Sequence, residues 1–422
     1  MEILGVPFGL ETGIQPWAQQ CIGDLQSFLT KLQHEHIPKQ NALLLLRACG
    51  LPKWNFVSRS MAPRAIQREH ELVDTLIMET ACRKMDLPNH SELPSIVKSR
   101  LALPIRDGGI GLRTFADTAD AAYIASICSA VPEIYKQLQG NSTMPNRFRN
   151  DVEYSHSRLI GTGISYIDQC ITPSTSEMWL KFKNGAPNHI QRLLTRCIEQ
   201  KALHSLLSPR TDILSQSEQS VQRSNYICSM ASLRASASKI SHDWLKVLPD
   251  NPEYRIADHH FSLALRAYLG LPPQDNLPSK CVCNEILTPL HFHNCEVIRQ
   301  SACSARHDLI VNRIARLIRR CGGSAIVEPA FRSDISTEQT LRPDILASLS
   351  NGSFMVDVGV VNPAAPSFSN APALMAIRRR ESLKRRKYNG IAQANGCRFF
   401  AAVANIFGGV SNFFNSLITA IT

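Results

Sequence analysis

Apolar positions in the first quarter of the chain recur at helical spacing. Ile22 to Leu32 and Ala42 to Ala48 each carry the three-and-four repeat of a helix that buries one face, with Pro38, Gly50 and Pro52 read as breaks. The glycines of Leu103-Pro104-Ile105-Arg106-Asp107-Gly108-Gly109-Ile110-Gly111-Leu112-Arg113 follow no buried strand and are wrongly spaced for a dinucleotide loop. They predict a tight turn feeding an Ala-rich helix at Ala116–Ser126. Residues 131–157 mix Pro, Gly, Asn and Ser with scattered charge and read as a linker. Helical patterning returns near Glu177–Leu206, breaks at the Ser/Gln-rich stretch 208–224, and resumes at Met230–Leu248 and Ala257–Leu269. No internal repeat is visible. Ser301 to Cys321 is strongly amphipathic, with Leu309, Ile310, Ile314, Leu317 and Ile318 as the apolar stripe. Arg313, Arg316, Arg319 and Arg320 crowd its other side and end, and Gly322-Gly323 supply the C-cap. A second helix is expected over 371–388, ended by Asn389-Gly390, and then an apolar strand over Cys397–Asn405.

Between those two helices the period changes to two. Asn351-Gly352 is a strong hairpin signal, because a type I′ turn needs positive φ at both central positions. Centring the turn there pairs Asp344 with Gly359 and Asp357 with Leu346. Both aspartates then emerge on one face, diagonally related, with Cβ atoms roughly 7–8 Å apart. Phe354 to Val361 is apolar on both faces apart from Asp357, the signature of a buried central strand. An ionised carboxylate there is costly unless it is paired or metal-bound, so two readings stand side by side: a shared divalent cation, or a salt bridge to one of the many arginines.

Composition narrows the partners. The chain carries a formal net charge of +11, and from Lys280 onward 17 lysines and arginines face 9 acids. A basic domain points to a polyanion, nucleic acid being the commonest. Thirteen cysteines without framework spacing, and no signal peptide at Met1, predict reduced thiols and an intracellular setting, nuclear or cytoplasmic. No apolar run reaches the ~20 residues of a membrane span, so no membrane partner is expected. Cys281, Cys283, His291 and Cys295 lie within fifteen residues and can offer four ligands to tetrahedral Zn²⁺, with His293 competing with His291.

The order of parts resembles a known family. Helix, strand with an acid, a Pro-Asp and Asp hairpin, a lysine-bearing helix and a strand is the order of the PD-(D/E)XK nuclease core. The Cys/Cys/His/Cys knuckle, Arg306-His307, Val327-Glu328-Pro329, Arg342-Pro343-Asp344, Asp357 and Lys384-x-x-Lys387-Tyr388 together resemble the restriction-like endonuclease region of site-specific non-LTR retrotransposons. Leu4 to Gly9 looks like the end of a reverse-transcriptase palm. Leu43 to Lys53 and Leu103 to Arg113 look like its thumb, and Trp244-Leu245 and Leu263 to Gly270 like the linker before the knuckle. The polymerase signature, an Asp-Asp turn on a palm hairpin, is missing. The chain thus looks like the C-terminal portion of an element protein, and polymerisation is not expected from it.

The resemblance implies an α+β chain. A thumb-like helical region (1–128) and a helical linker region with polar interruptions (129–277) would precede a zinc knuckle (278–299) and a restriction-like endonuclease domain (300–422). It implies Mg²⁺ or Mn²⁺ at Asp344 and Asp357, with Glu328 completing the metal shell. Lys384 or Lys387, which spacing does not separate, would stabilise transition-state charge, with Tyr388 supporting that lysine. Arg306, His307, Arg342, Arg378, Arg379 and Arg385 would contact nucleic acid, the target being double-stranded DNA with element RNA as a further candidate. The rival expectation is a catalytically inactive nucleic-acid-binding remnant.

Overall fold

Trp17, Ala18, Ile22, Leu25, Leu29 and Leu32 fall on one side of a helix, and burying that side creates α1 (Ile14–Leu32). The same logic builds most of the chain. The computed structural model describes residues 2–3, 6–7, 13–137, 146–161, 175–185, 189–217, 220–236, 241–276, 278–331, 341–368 and 374–422. In coarse terms the outcome is the expected α+β class, mostly helix with a four-stranded sheet near the C-terminal end. Among the described residues no helix is long and apolar enough to cross a membrane. The contacts divide into two compact units, Met1–Pro209 with Leu248–Ser262, and Arg210–Val247 with Leu263–Thr422.

Unit 1 opens with the short pair β1 (Glu2–Ile3) and β2 (Val6–Pro7); residues 4–5 and 8–9 of the palm-like motif lie outside the described residues. After α1 come α2 (Lys39–Leu45) and α3 (Leu51–Ser60), and here the expected break at Gly50 and Pro52 is corrected. Leu46–Gly50 forms a π-helical turn that joins the two helices, with the Leu51 amide donating to the Leu46 carbonyl. Pro52 sits in the first turn of α3, where its missing N–H and ring are tolerated.

Helices α4 (Gln67–Lys84) and α5 (Ser95–Ala102) lead to the expected tight turn. Gly108 and Gly111 adopt φ of 85° and 81°. A Cβ on Gly109 would lie 2.1 Å from the Leu103 carbonyl oxygen, so only glycine fits that approach. The buried Arg100 donates from Nε and Nη2 to the Gly108 carbonyl at 3.1 and 3.0 Å, fixing the turn from inside. It feeds α6 (Phe115–Gln137), whose first amides, Phe115 and Ala116, are capped by the Asp74 carboxylate.

The linker expected over 131–157 is corrected. Helix α6 runs on to Gln137 and α7 occupies Asn146–Gly161; residues 138–145 lie outside the described residues. Val131, Val152 and Leu159 join a core with Ile124, Cys128, Met178 and Phe182. Among the described side chains of α7 the large apolar ones that are buried are Val152 and Leu159, a stripe too narrow to stand out among the charges. Helices α8 (Thr175–Phe182) and α9 (Ile190–Leu207) follow among the described residues.

Unit 2 begins with α10 (Thr211–Leu214) and α11 (Val221–Ala235). The helix expected over Met230–Leu248 therefore starts and ends earlier. Ser220, inside the supposed interruption, is its N-cap and accepts from the Arg223 amide, and Asp243–Leu245 is a separate 3₁₀ turn. Residues 218–219 and 237–240 lie outside the described residues. The last half of α12 (Asp258–Leu269) and the short α13 (Pro289–Asn294) precede α14 (Glu296–Arg320). On α14 the buried stripe is Val311, Ile314, Ala315 and Ile318. Leu309, expected on that stripe, is 59% exposed, because the turn starting at Val311 meets the sheet.

The sheet comprises β3 (Ser324–Val327), β4 (Ile345–Leu349), β5 (Gly352–Val361) and β6 (Arg398–Asn405), in that spatial order. The first three are antiparallel; β5 and β6 are parallel and joined through α15 (Met375–Ala394). As the doubly apolar run predicts, Phe354 to Gly359 is buried on both sides. Phe354, Val356, Val358, Phe400 and Ala402 meet α14 and the closing α16 (Asn412–Ile421), and Ala401 and Val403 meet Ile377 of α15 on the opposite face.

Two expectations around the sheet are corrected. The hairpin turns at Ser350-Asn351, with Leu349 paired to Gly352 and Ile345 to Val356. Asn351 donates its side-chain amide to the Ala420 carbonyl at 3.0 Å, a tertiary contact that outweighs the local turn preference. Asp344, which the sequence placed opposite Gly359, is a bend just before the ladder begins at Ile345. Within the ladder the slip is two residues, so it preserves which side chains share a face. Helix α15 also continues past Asn389-Gly390 to Ala394, since the buried Ala392 holds its last turns on the sheet, and Gly396 at φ 65° follows its end.

Candidate functional site

Two clusters in unit 2 collect the chemistry anticipated from the sequence. The first begins on a small turn in which Lys280 bridges Ile286, the Cys281 amide donates to the Glu285 carbonyl at 2.8 Å, and Asn284 takes a φ of 70°. That turn presents Cys281 and Cys283. Thr288 caps α13, which carries His291, and Cys295 is the N-cap residue of α14.

The four ligand atoms lie within 4.8 Å of one another, with Cys281 Sγ to Cys295 Sγ at 3.6 Å and Cys283 Sγ to His291 Nε2 at 3.2 Å. Tetrahedral zinc with bonds of about 2.3 Å requires sulfur–sulfur edges of about 3.8 Å, so the Cys₃His cluster can hold a metal ion such as zinc. The Ile298 amide holds the Cys295 thiol below its ordinary range, which favours the thiolate a metal needs.

His293 is not part of the cluster. It lies between the Phe292 and Phe407 rings, each 5.4 Å from it by centroid, and burial pushes its pKa down to about 4. Titration with Co²⁺ is expected to bind one ion here and give the visible bands of a tetrahedral thiolate site. Cys283→Ser should weaken that binding at least tenfold while His293→Ala leaves the bands in place; the reverse pattern would contradict this ligand set.

The second cluster lies where β4 begins. Tyr388, buried on α15, donates its hydroxyl to the Arg342 carbonyl at 3.1 Å and so holds the Arg342-Pro343-Asp344 approach. Asp344 Oδ2 accepts the Val358 amide at 2.5 Å and stands 3.2 Å from His307 Nε2. Burial pushes the Asp344 carboxyl up, but His307 and the Val358 amide outweigh it and hold the group below the usual carboxylate range. The Asp344 hydrogen bond, helped by Asp308 at 3.1 Å, raises His307 to about 9 against partial burial.

Asp357, with its side chain 6% exposed, forms an ion pair with Lys384 Nζ. Its burial pushes the carboxyl above the usual range; Lys384 opposes this and the charge of Asp344 adds to it. The salt bridge anticipated for this buried acid thus exists, with a lysine rather than an arginine as partner. A Cβ on Gly359 would lie 2.7 Å from Lys384 Cε, so this glycine opens the passage through which the lysine reaches Asp357. Neither Gly359 nor the Val358 amide belongs to a motif. A glycine inside an otherwise bulky central strand is the one sequence signal that marks the close approach.

The other candidates divide. Lys387 is exposed, its ammonium 4.8 Å from the Tyr388 ring centroid. Arg306 turns back to donate to the Ala302 carbonyl at 3.0 Å and pins its own helix. Arg342, Arg378, Arg379 and Arg385 are exposed, Arg385 lying over the Phe413 ring at 4.8 Å. Glu328 is exposed with φ of 53°, and only its backbone amide meets Asp344, at the carbonyl, 2.8 Å away. Among the described residues, the one group of three or more His, Cys, Asp or Glu side chains close enough to share an ion is the Cys₃His cluster.

The His307 pair gives a pH signature. A histidine raised from 6.5 to about 9 contributes stability that is complete below pH 6.5 and lost as pH rises through 9. By NMR titration the His307 ring is expected to protonate near pH 9, and Asp344→Asn to bring it back toward 6.5. An unchanged midpoint in that variant would refute the pairing. No family model matches the chain, and no curated protein matches its sequence.

Proposed function

We propose that this chain is the metal-dependent DNA-nicking endonuclease module of a non-LTR retrotransposon protein, without reverse-transcriptase activity of its own. The observation that carries the reading is the pairing of Lys384 with Asp357 beside Asp344, which accepts the amide of Val358, the residue after Asp357. Helix α14, strands β3, β4 and β5, helix α15 and strand β6 follow one another in the order of the PD-(D/E)XK core, which supports the same reading. Asp344 and Asp357 are hard oxygen donors and would hold Mg²⁺ or Mn²⁺. A divalent cation bound there would polarise the scissile phosphate and lower the pKa of the attacking water.

The chain's own side chains do the rest. Lys384, paired with Asp357 in this structure, would stabilise charge growing on the phosphate. His307, protonated at neutral pH, orients Asp344 and offers a proton donor at its edge. Tyr388 fixes the Arg342 carbonyl and with it the approach of Asp344. Arg342, Arg378, Arg379 and Arg385 bind the duplex backbone, and the Cys₃His knuckle holds zinc. Residues 1–128 then serve as a thumb-like region and 129–277 as a linker, with element RNA as a further partner and the nucleus or cytoplasm as the setting.

A second reading has its own support. Each acid already has a cationic side-chain partner and Glu328 supplies no third ligand, as in a decayed site that still binds nucleic acid. Supercoiled plasmid incubated with the zinc-loaded protein separates the two. Conversion to open circles with Mg²⁺ but not with Ca²⁺ is the nuclease result. Bound but uncut plasmid with both ions would favour the remnant.

A further inference from the structure

Helix α14 presents a second cationic surface, away from the face that carries Asp357 and Lys384. Arg313, Arg316 and Arg320 are all exposed and recur at three and four residues, so they form one stripe along the outer side of the helix. Their rises along the axis are about 4.5 and 6 Å. From Leu309 to Arg320 the helix itself carries no acidic residue. Arg319 at the margin donates to the Ala325 carbonyl at 2.8 Å, bending over the edge strand β3.

The position of this stripe is what gives it meaning. The inner side of α14 packs on the Phe354, Val356 and Val358 face of the sheet, and Ile377 of α15 packs on the face of Ala401 and Val403. The whole sheet separates the arginines of α14 from Arg378 and Arg379 on α15.

We infer that the outer face of α14 is a second binding surface for the backbone of double-stranded DNA, separate from the surface around Asp344 and Asp357. Arginine, with a planar fork that meets phosphate oxygens in pairs, is the residue type suited to backbone contact. Tight single-strand binding uses aromatic platforms for the bases, and the exposed side of α14 between Leu309 and Arg320 has no aromatic residue. That favours a duplex over single-stranded RNA. A nuclease with two such faces would hold two DNA segments, or two arms of one bent segment, at once.

The surface does not require the nuclease reading, and its test uses no cleavage. The full zinc-loaded chain carrying Arg378→Glu and Arg379→Glu, in Ca²⁺ buffer, is titrated against a labelled 20-bp duplex and a labelled single-stranded RNA across a salt series. Adding Arg313→Glu and Arg316→Glu is expected to weaken duplex binding at least tenfold and to reduce the log–log salt slope by about 1.8, two phosphate contacts at roughly 0.9 each. Arg313→Gln with Arg316→Gln should give a smaller loss of the same kind at unchanged thermal stability, which separates lost contacts from lost folding. A change in duplex affinity below threefold, or a loss confined to the RNA probe, would overturn the inference.

Discussion

Asp344→Ala is expected to lower the rate of plasmid nicking in Mg²⁺ by about a thousandfold or more, roughly 4 kcal/mol of transition-state stabilisation. DNA affinity measured in Ca²⁺ should stay within about threefold. The large effect follows from the position of the side chain. Its carboxylate already holds charge below the usual pKa range, between the Val358 amide and His307, so it is the ionised oxygen ligand closest to hand for a divalent cation. The structural cost is modest by comparison. Deleting the carboxylate leaves the Val358 amide without its acceptor, worth about 1–3 kcal/mol, while His307 can shed its proton and avoid a stranded charge. A variant that folds, binds DNA and nicks at the wild-type rate would remove Asp344 from the chemistry.

Lys384→Ala carries the second large effect, on both stability and activity. Asp357 and Lys384 are among the few charged side chains buried in this unit, and they are paired. Removing one partner of a buried ion pair typically costs about 3–5 kcal/mol, because the survivor is left charged in a poorly solvated site. Asp357 already sits above the usual carboxylate pKa with its lysine present, and without it the carboxyl rises further. Its folded pKa then exceeds the unfolded value, so the destabilisation is greatest at high pH and shrinks as acid protonates the group. Denaturant unfolding at pH 8 and pH 5 measures this. Asp357→Asn combined with Lys384→Met should recover most of the stability and none of the nicking. A double variant no more stable than Lys384→Ala would mean that the loss comes from packing rather than from the stranded charge.

Much of this site could be read from residue order, and the failures have definite causes. The even periodicity of a strand placed Asp344 and Asp357 side by side, and the structure has Asp344 accepting the amide of Val358, next to Asp357. The register itself depended on Asn351, whose side chain is committed to Ala420, a contact invisible from the turn sequence. Spacing could not choose between Lys384 and Lys387, which lie on adjacent parts of one helix. The choice was made by a void, the missing side chain of Gly359. His291 and His293 were likewise equivalent by spacing until Phe407, more than a hundred residues away, enclosed one of them. Glu328 was expected in the metal shell from the resemblance of Val327-Glu328-Pro329 to a strand that carries an acid, yet the strand ends at Val327 and Glu328 is exposed with positive φ. The segment over 131–157 misled in the opposite way. Its polar composition hid two helices whose burial rests on a few positions such as Val131, Val152 and Leu159.

The central claim is that Asp344 and Asp357 share one divalent cation. Mn²⁺ titration of the zinc-loaded protein, followed by electron paramagnetic resonance of the free ion, measures it without substrate. The account predicts one bound Mn²⁺ per chain, lost in Asp344→Asn and lost again in Asp357→Asn. Equal Mn²⁺ binding by the wild type and both variants, or none by any of them, would contradict it.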